Sequence, residues 1–274
     1  MFGPAVRSNE VWFSADNLVL NVAQAACVVL PAAGIPVALA RLRSGMWALV
    51  LPLSIVVVVA AISAVPQAAE AFTWFALVLV PVGGALSLGW AMHGARPWLA
   101  LIAVPLIVLA WIEPDARAGQ LATIVLIVGS AVTAARLLGG AMVPALLKLA
   151  VIAMATVDAI LVFGDQLQGP NATLVAAEPG AGLPQLQSAA FGVSGLGYGD
   201  FLAAAVLGAV LAAEGRMQLA PAIWLLAVSF AWDQLFLFRD VLPATVPVAI
   251  VLIGSELWHR RTAPTVPNRG NTTL

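Results

Sequence analysis

The sequence predicts an all-α, polytopic membrane protein with about nine transmembrane helices, and three observations carry that prediction. Of 274 residues, 62% are apolar and the mean hydropathy is +1.02. Only 9% are charged, against about 25% in a soluble domain. The apolar residues also fall in long uncharged runs, and about 20 apolar residues suffice to carry a helix across roughly 30 Å of hydrocarbon. Twelve basic and thirteen acidic residues leave a net charge of -1. No basic patch is offered to phosphates, so nucleic acid is excluded as a partner.

In chain order the runs cover about 18–40, 46–65, 71–92, 97–112, 118–135, 138–163, 198–213, 217–238 and 241–258. Short polar breaks part them, such as Arg41-Leu42-Arg43-Ser44-Gly45, Pro66-Gln67, His93-Gly94-Ala95-Arg96 and Glu113-Pro114-Asp115. The runs at 97–112 and 198–213 are short for a full crossing. Residues 164–197 make one long connection, rich in Gly, Pro and polar residues, which are loop signals. Connections of that length are usually functional or disordered. The organisation expected is a scaffold of five helices over 1–137, a catalytic part over 138–261 that includes the 164–197 loop, and a polar tail over 262–274.

Arginine placement sets an expected orientation, because cytoplasmic loops carry an excess of basic residues. With nine spans, Arg7, Arg117 and Arg239 fall on one side, together with Glu10, Asp16, Glu70, Glu113, Asp115, Asp165, Glu178 and Asp240. Arg41, Arg43, Arg96, Arg136, Arg216, Arg260, Arg261 and Arg269 fall on the other. The second side is expected in the cytoplasm of a plasma membrane. The N-terminus and the long loop then face outward, and the first span reads as a retained anchor.

Within the apolar runs stand three carboxylates, Asp158, Asp200 and Asp233. A charge at a helix centre costs about 2.5–3.5 kcal/mol on insertion scales, so an intramembrane acid is a functional-site hypothesis by default. Asp158 lies five residues before Phe163, roughly 8 Å inside its helix end at 1.5 Å per residue. Asp200 opens the next run at similar depth. Two acids meeting at one depth cannot both ionise cheaply and hold a proton between them. One then acts as base on a water while the other, protonated, polarises a carbonyl. That chemistry needs no cofactor and no metal. Metal chemistry has little to work with in any case: Cys27 is the only cysteine, and His93 and His259 stand far apart.

The segment Gly195-Leu196-Gly197-Tyr198-Gly199-Asp200 is poor helix former directly before an acid, and its glycines let backbones approach closely. It resembles the signature of the GxGD intramembrane aspartyl proteases, the presenilin and signal peptide peptidase family, of which this chain would be a prokaryotic homologue. The resemblance implies nine spans, catalytic aspartates Asp158 in span 6 and Asp200 in span 7, and a supporting segment at the start of span 9. Val157-Asp158 stands where that family has Tyr-Asp. Gly197-Tyr198-Gly199-Asp200 fits its motif in full. Pro243-Ala244-Thr245 stands where Pro-Ala-Leu is expected, so threonine replaces leucine. Gly197, Tyr198, Gly199, Pro243, Ala244 and Thr245 are therefore candidates for active-site support or substrate binding.

Proline suits a first helical position, so Pro243 is expected to open span 9. A helical peptide bond is shielded by its own hydrogen bonds, so cleavage needs local unwinding. Extended residues near 183–190 or 241–244 are candidates to receive the unwound strand. The implied partners are a transmembrane peptide or membrane-protein substrate, including remnant signal peptides, and the bilayer. No accessory subunit is evident. Two rival readings share the carboxylates: a proton- or cation-coupled transporter, and a prepilin-peptidase-like aspartyl protease working at the cytoplasmic face. Of the other polar residues, Lys148 is expected to snorkel or to pair with Glu214, and the pairs Gly83-Gly84 and Gly139-Gly140 to mark close helix contacts.

Overall fold

A computed structural model describes residues 15–35, 44–177, 179–239 and 241–262. Arg7, Glu10, Arg41, Arg43, Glu178, Asp240 and Arg269, which entered the orientation argument, lie outside the described residues, as do 36–40 of the first run and the tail from 263. The described residues are mostly helical (78%). Each of the nine apolar runs contains a helix: α1 (Ala15–Val29), α2 (Val50–Ala64), α3 (Ala68–Leu86), α4 (Ala103–Ile112), α5 (Arg117–Ala141), α6 (Pro144–Phe163), α8 (Tyr198–Ala213), α9 (Leu219–Asp233) and α10 (Thr245–Thr262). Tighter or wider turns extend several of them, at Gly45–Leu49, Ser87–Ala91, Pro97–Ile102 and Gln234–Leu237.

Among the described residues, five helical stretches are long and apolar enough to cross a membrane: Gly45–Ala64, Ala68–Ala91, Arg117–Ala141, Pro144–Phe163 and Leu219–Leu237. Asp16–Val29, Pro97–Ile112 and Tyr198–Ala213 are apolar but shorter. The surface is apolar in the manner of a chain dissolved in lipid. Val56 and Val57 on α2, Phe75, Val78 and Val82 on α3, and Val104 and Trp111 on α4 are all exposed. Stripes of this length on a soluble protein would be association surfaces.

The 164–197 connection is ordered rather than a plain loop. It holds a helix, α7 (Gln168–Ala176), and an antiparallel hairpin, β1 (Ser188–Phe191) with β2 (Ser194–Gly197), in which Ser188 faces Gly197 and Phe191 faces Ser194. Gly169 and Pro170 read as breakers, but both sit in the first turn of α7, where a missing N–H costs nothing. Gly192 opens the hairpin turn at φ 57, a left-handed conformation open to glycine at little cost. The hairpin is tied down on two sides. The Val193 N–H donates to Asp16 at 3.3 Å, and the Gly192 N–H donates to Gln120 at 3.0 Å.

Two boundaries also differ from the sequence reading. Residues 138–141 continue α5, and the next helix starts at Pro144 in its first position. Helix α10 starts at Thr245, two residues after Pro243, and the proline inside its first turn is Pro247. Pro243 therefore does not open the helix as expected, and Pro247, at the third helical position, lacks an N–H that the first turn would leave without an internal partner.

Helix α8 is the centre of the bundle, with Ala203 through Leu211 buried without a break. Its small residues admit neighbours at backbone distance: a Cβ on Gly208 would stand 2.8 Å from Val28 Cα of α1. Likewise a Cβ on Gly83 would lie 2.9 Å from Ser130 Cα, and one on Gly139 would lie 3.1 Å from Ala209 Cβ. Both glycine pairs mark close contacts, as the sequence suggests. Charge gathers at the end of the bundle opposite the hairpin. Lys148 reaches Glu214 at 2.5 Å and Glu256 at 2.8 Å, and Arg216 pairs with the same two carboxylates. Arg136 lies 4.1 Å above the Trp90 ring and donates to the carbonyls of Gly34, Ala33 and Trp90.

Candidate active site

Four elements converge at the hairpin end. Helix α6 brings Asp158, five residues before its last residue Phe163, on a side chain only 9% exposed. The hairpin runs directly into α8 and delivers Asp200 as the third residue of that helix. The non-helical segment 241–243 leads into α10, which delivers Thr245, a buried residue. Helix α1 brings Gln24, 1% exposed, against both of the last two elements.

The two carboxylates come from helices in close contact, with Met154 of α6 against Gly199 beside Asp200, and the Gln24 amide joins the Asp200 carbonyl to that of Ala244, next to the Thr245 that donates to Asp158. Each is also held by a donor. Thr245 Oγ1 donates to Asp158 Oδ2 at 2.5 Å, and the Gly197 N–H donates to Asp200 Oδ2 at 3.1 Å. The second contact is the half of a capping box in which the acid at the third helical position satisfies the backbone amide before the helix. Gly197 has no side chain to return the favour.

The glycines of the Gly197-Tyr198-Gly199-Asp200 segment have separate jobs. A Cβ on Gly197 would stand 3.3 Å from Asp200 Oδ2 and crowd the carboxylate. On Gly199, a Cβ would meet Met154 Cε of α6 at 3.2 Å, so its absence lets the two aspartate-bearing helices close up. Tyr198 turns to α5, where its hydroxyl meets Ser130 Oγ at 3.1 Å. Ala244 contributes its backbone: its carbonyl accepts from Gln24 Nε2 at 3.2 Å. Pro243 is buried in the segment between α9 and α10.

Gln24 escaped the sequence reading. Its amide also donates to the Asp200 carbonyl at 3.4 Å, and its Oε1 accepts from Ser229 Oγ of α9 at 3.3 Å. One buried side chain on α1 therefore ties the start of α8 to the start of α10. A signal was present: Asn17, Asn21 and Gln24 recur at four and three residues, a polar stripe on one face of an otherwise apolar helix.

Asp233 stands apart from the other two acids. It ends α9, accepts from Asn21 Nδ2 at 2.7 Å, and lines a cleft of about 70 Å³ with Asn17, Asn21, Gln24, Ser229 and Ala244. Its observed partner is an amide rather than an arginine. Lys148 pairs with Glu214, as expected, and with Glu256 besides.

No protein-family model, curated protein or solved structure matches this chain. The functional reading therefore rests on the geometry above.

Proposed function

We propose that the chain is an intramembrane aspartyl endopeptidase of the presenilin and signal peptide peptidase type, with nine spans and with Asp158 and Asp200 as its catalytic pair. The observation that carries the reading is the arrival of these two acids, from the packed helices α6 and α8, at one end of an apolar bundle, each held by a neutral donor and neither in an ion pair among the described residues.

Two carboxylates that share one proton can hydrolyse a peptide bond without a metal. The ionised member takes a proton from water, whose oxygen attacks the carbonyl carbon. The protonated member gives its proton to the carbonyl oxygen, leaving a neutral gem-diol. In the second half the C–N bond breaks, the amine nitrogen takes the proton from the first carboxyl, and a diol hydroxyl returns a proton to the second. The products are a carboxylic acid and an amine, and the pair is back where it began.

The substrate class is a helical membrane-spanning peptide, unwound at the bond to be cut. The hairpin and the non-helical residues 183–186 and 241–243 are the candidates to receive a strand whose own hydrogen bonds have been opened. The arginine distribution supports an orientation with the pair toward the outer leaflet and the Lys148 cluster toward the cytoplasm, which suits substrates whose N-terminus is cytoplasmic.

The test is a single-span reporter peptide reconstituted with the purified protein in liposomes. Wild type is expected to cut the reporter within its span, while D158A and D200A each abolish cutting and still insert and melt like wild type. An alanine variant that keeps cutting removes its aspartate from the chemistry. Ion-dependent flux with an intact reporter would establish the transporter reading instead.

A further inference from the structure

The two carboxylates of the pair are not equivalently held. Asp158 accepts the Thr245 hydroxyl at 2.5 Å. Asp200 accepts the Gly197 N–H, at 3.1 Å. Thr245 is the first residue of α10, so its N–H is one of the amides that a helix leaves without an internal partner, at the end of the helix that carries partial positive charge. The O–H···O separation is the short one that a hydroxyl makes to an ionised oxygen.

What else faces Asp158 makes these donors decisive. Of the elements packed on α6, α2 carries no ionisable residue. Helix α8 brings Asp200, with Tyr198 engaged by Ser130 and Glu214 at the far end. Helix α10 carries Glu256 and its basic residues at its other end. On α5, Arg117 lies over Phe191 of the hairpin, and Arg136 is spent on loop carbonyls at the far end. Lys148, ten residues along α6, is about 15 Å away at 1.5 Å per residue and is paired with two glutamates. Arg239 shares a cleft with Val162 and Phe163 at the end of α6, but among the described residues neither acid is in an ion pair, so neutral donors decide which oxygen keeps the negative charge.

We propose, resting on the proteolytic reading, that Thr245 is a positioning residue whose hydroxyl fixes Asp158 as the water-activating base and leaves Asp200 to carry the shared proton to the scissile carbonyl. Leucine, which the resemblance expects at this position, would supply no side-chain donor. The chain has added a donor where a merely apolar contact would have packed the helix.

Two matched pairs isolate the hydroxyl: Thr245 against T245V, and T245S against T245A. The assay is the liposome reporter cleavage, with kcat and KM measured separately and with affinity for a peptide carrying a secondary hydroxyl in place of the scissile amide. T245V is expected to lose kcat by about 10- to 100-fold, the loss of one hydrogen bond to a charged group, with KM within about twofold. T245S is expected to keep most of the rate and T245A to lose it, and hydroxyl-isostere affinity falls with kcat. If T245V does not fold, the serine–alanine pair decides. Equal kcat in folded variants with and without the hydroxyl overturns the inference and leaves the protease intact. A wild-type chain that never cuts the reporter overturns both.

Discussion

Gln24 gives the sharpest test of how the site is assembled. Its amide spans the carbonyls of Asp200 and Ala244 at 3.4 and 3.2 Å, and Ser229 donates to its oxygen at 3.3 Å. The amide orientation follows from the partners, since a flipped amide would turn its oxygen on two carbonyls. Q24L keeps the volume and removes every bond. The bonds are long, so each is worth the lower part of the usual range, and their joint loss costs about 1–2 kcal/mol. For a chain of this size that lowers Tm by about 2–8 °C. If the whole loss falls on the geometry that brings Asp200 and Thr245 together, kcat drops about 5- to 30-fold, each 1.36 kcal/mol being tenfold. Reporter cleavage in liposomes and thermal unfolding in detergent measure the two quantities side by side. Wild-type kcat in Q24L would refute the idea that α1 holds the pair in register. A loss beyond about a thousandfold would refute it too, because the bonds do not contain that much energy. S229A supplies an internal check. It removes the donor that orients the amide, so it should slow wild type and add little in a Q24L background, as residues of one network do not add.

Other perturbations separate chemistry from scaffolding. K148M leaves Glu214 and Glu256 to share Arg216; because these side chains keep 15–24% of their exposure, the cost is put at about 1–3 kcal/mol, below that of breaking a fully buried pair. Thermal unfolding should show that loss, while cleavage stays within about threefold of wild type, the cluster being about 15 Å along α6 from Asp158. D233N should keep its contact with Asn21 and cut the reporter within about threefold of wild type, the size of an ordinary substitution away from the chemistry. An inactive but folded D233N would make Asp233 a third acid of the mechanism.

Much of the helix content was legible because it depends on composition over long windows. Runs such as Ile55 to Ala61 leave lipid or a core as their only environments, and each of the nine runs contains a helix. Asp158 and Asp200 were legible because a carboxylate in such a run is costly and must have a reason. Gly83 and Gly139 were legible because small residues are what close helix approach needs. The ordered content of 164–197 was not. The four-residue strand Ser188-Ala189-Ala190-Phe191 is too short to show alternation, and α7 begins with Gly169 and Pro170, which read as breakers unless the first turn is already known. Thr245 read as a departure from a motif, since a hydroxyl has no meaning until the helix that carries it is set against Asp158. Gln24 was overlooked because uncharged amides in an apolar run raise no alarm, although a buried amide needs its partners as much as a charge does.

The proposed chemistry and the measured lengths fit together in one further way. Helix α8 has 16 residues and so spans about 24 Å, less than the roughly 30 Å of a hydrocarbon core. If its far end is fixed in the headgroup region by Glu214 and its basic partners, its first residues stop short of the opposite surface. The chain that fills the remaining depth is a hairpin rather than a helix. Backbone with open edges is tolerated at that depth only against protein or a water-filled crevice. One side of the hairpin is covered by α1 and α5, to which Asp16 and Gln120 tie it. A two-stranded sheet still has outer edges with no strand beside them. An unwound substrate segment has the opposite problem, since its own N–H and C=O groups have lost their helix. The short central helix therefore creates both the depth at which Asp200 sits and the place where extended backbone is allowed. A longer α8 would pack as well, but it would carry its acid out to the surface and leave no room for the strand.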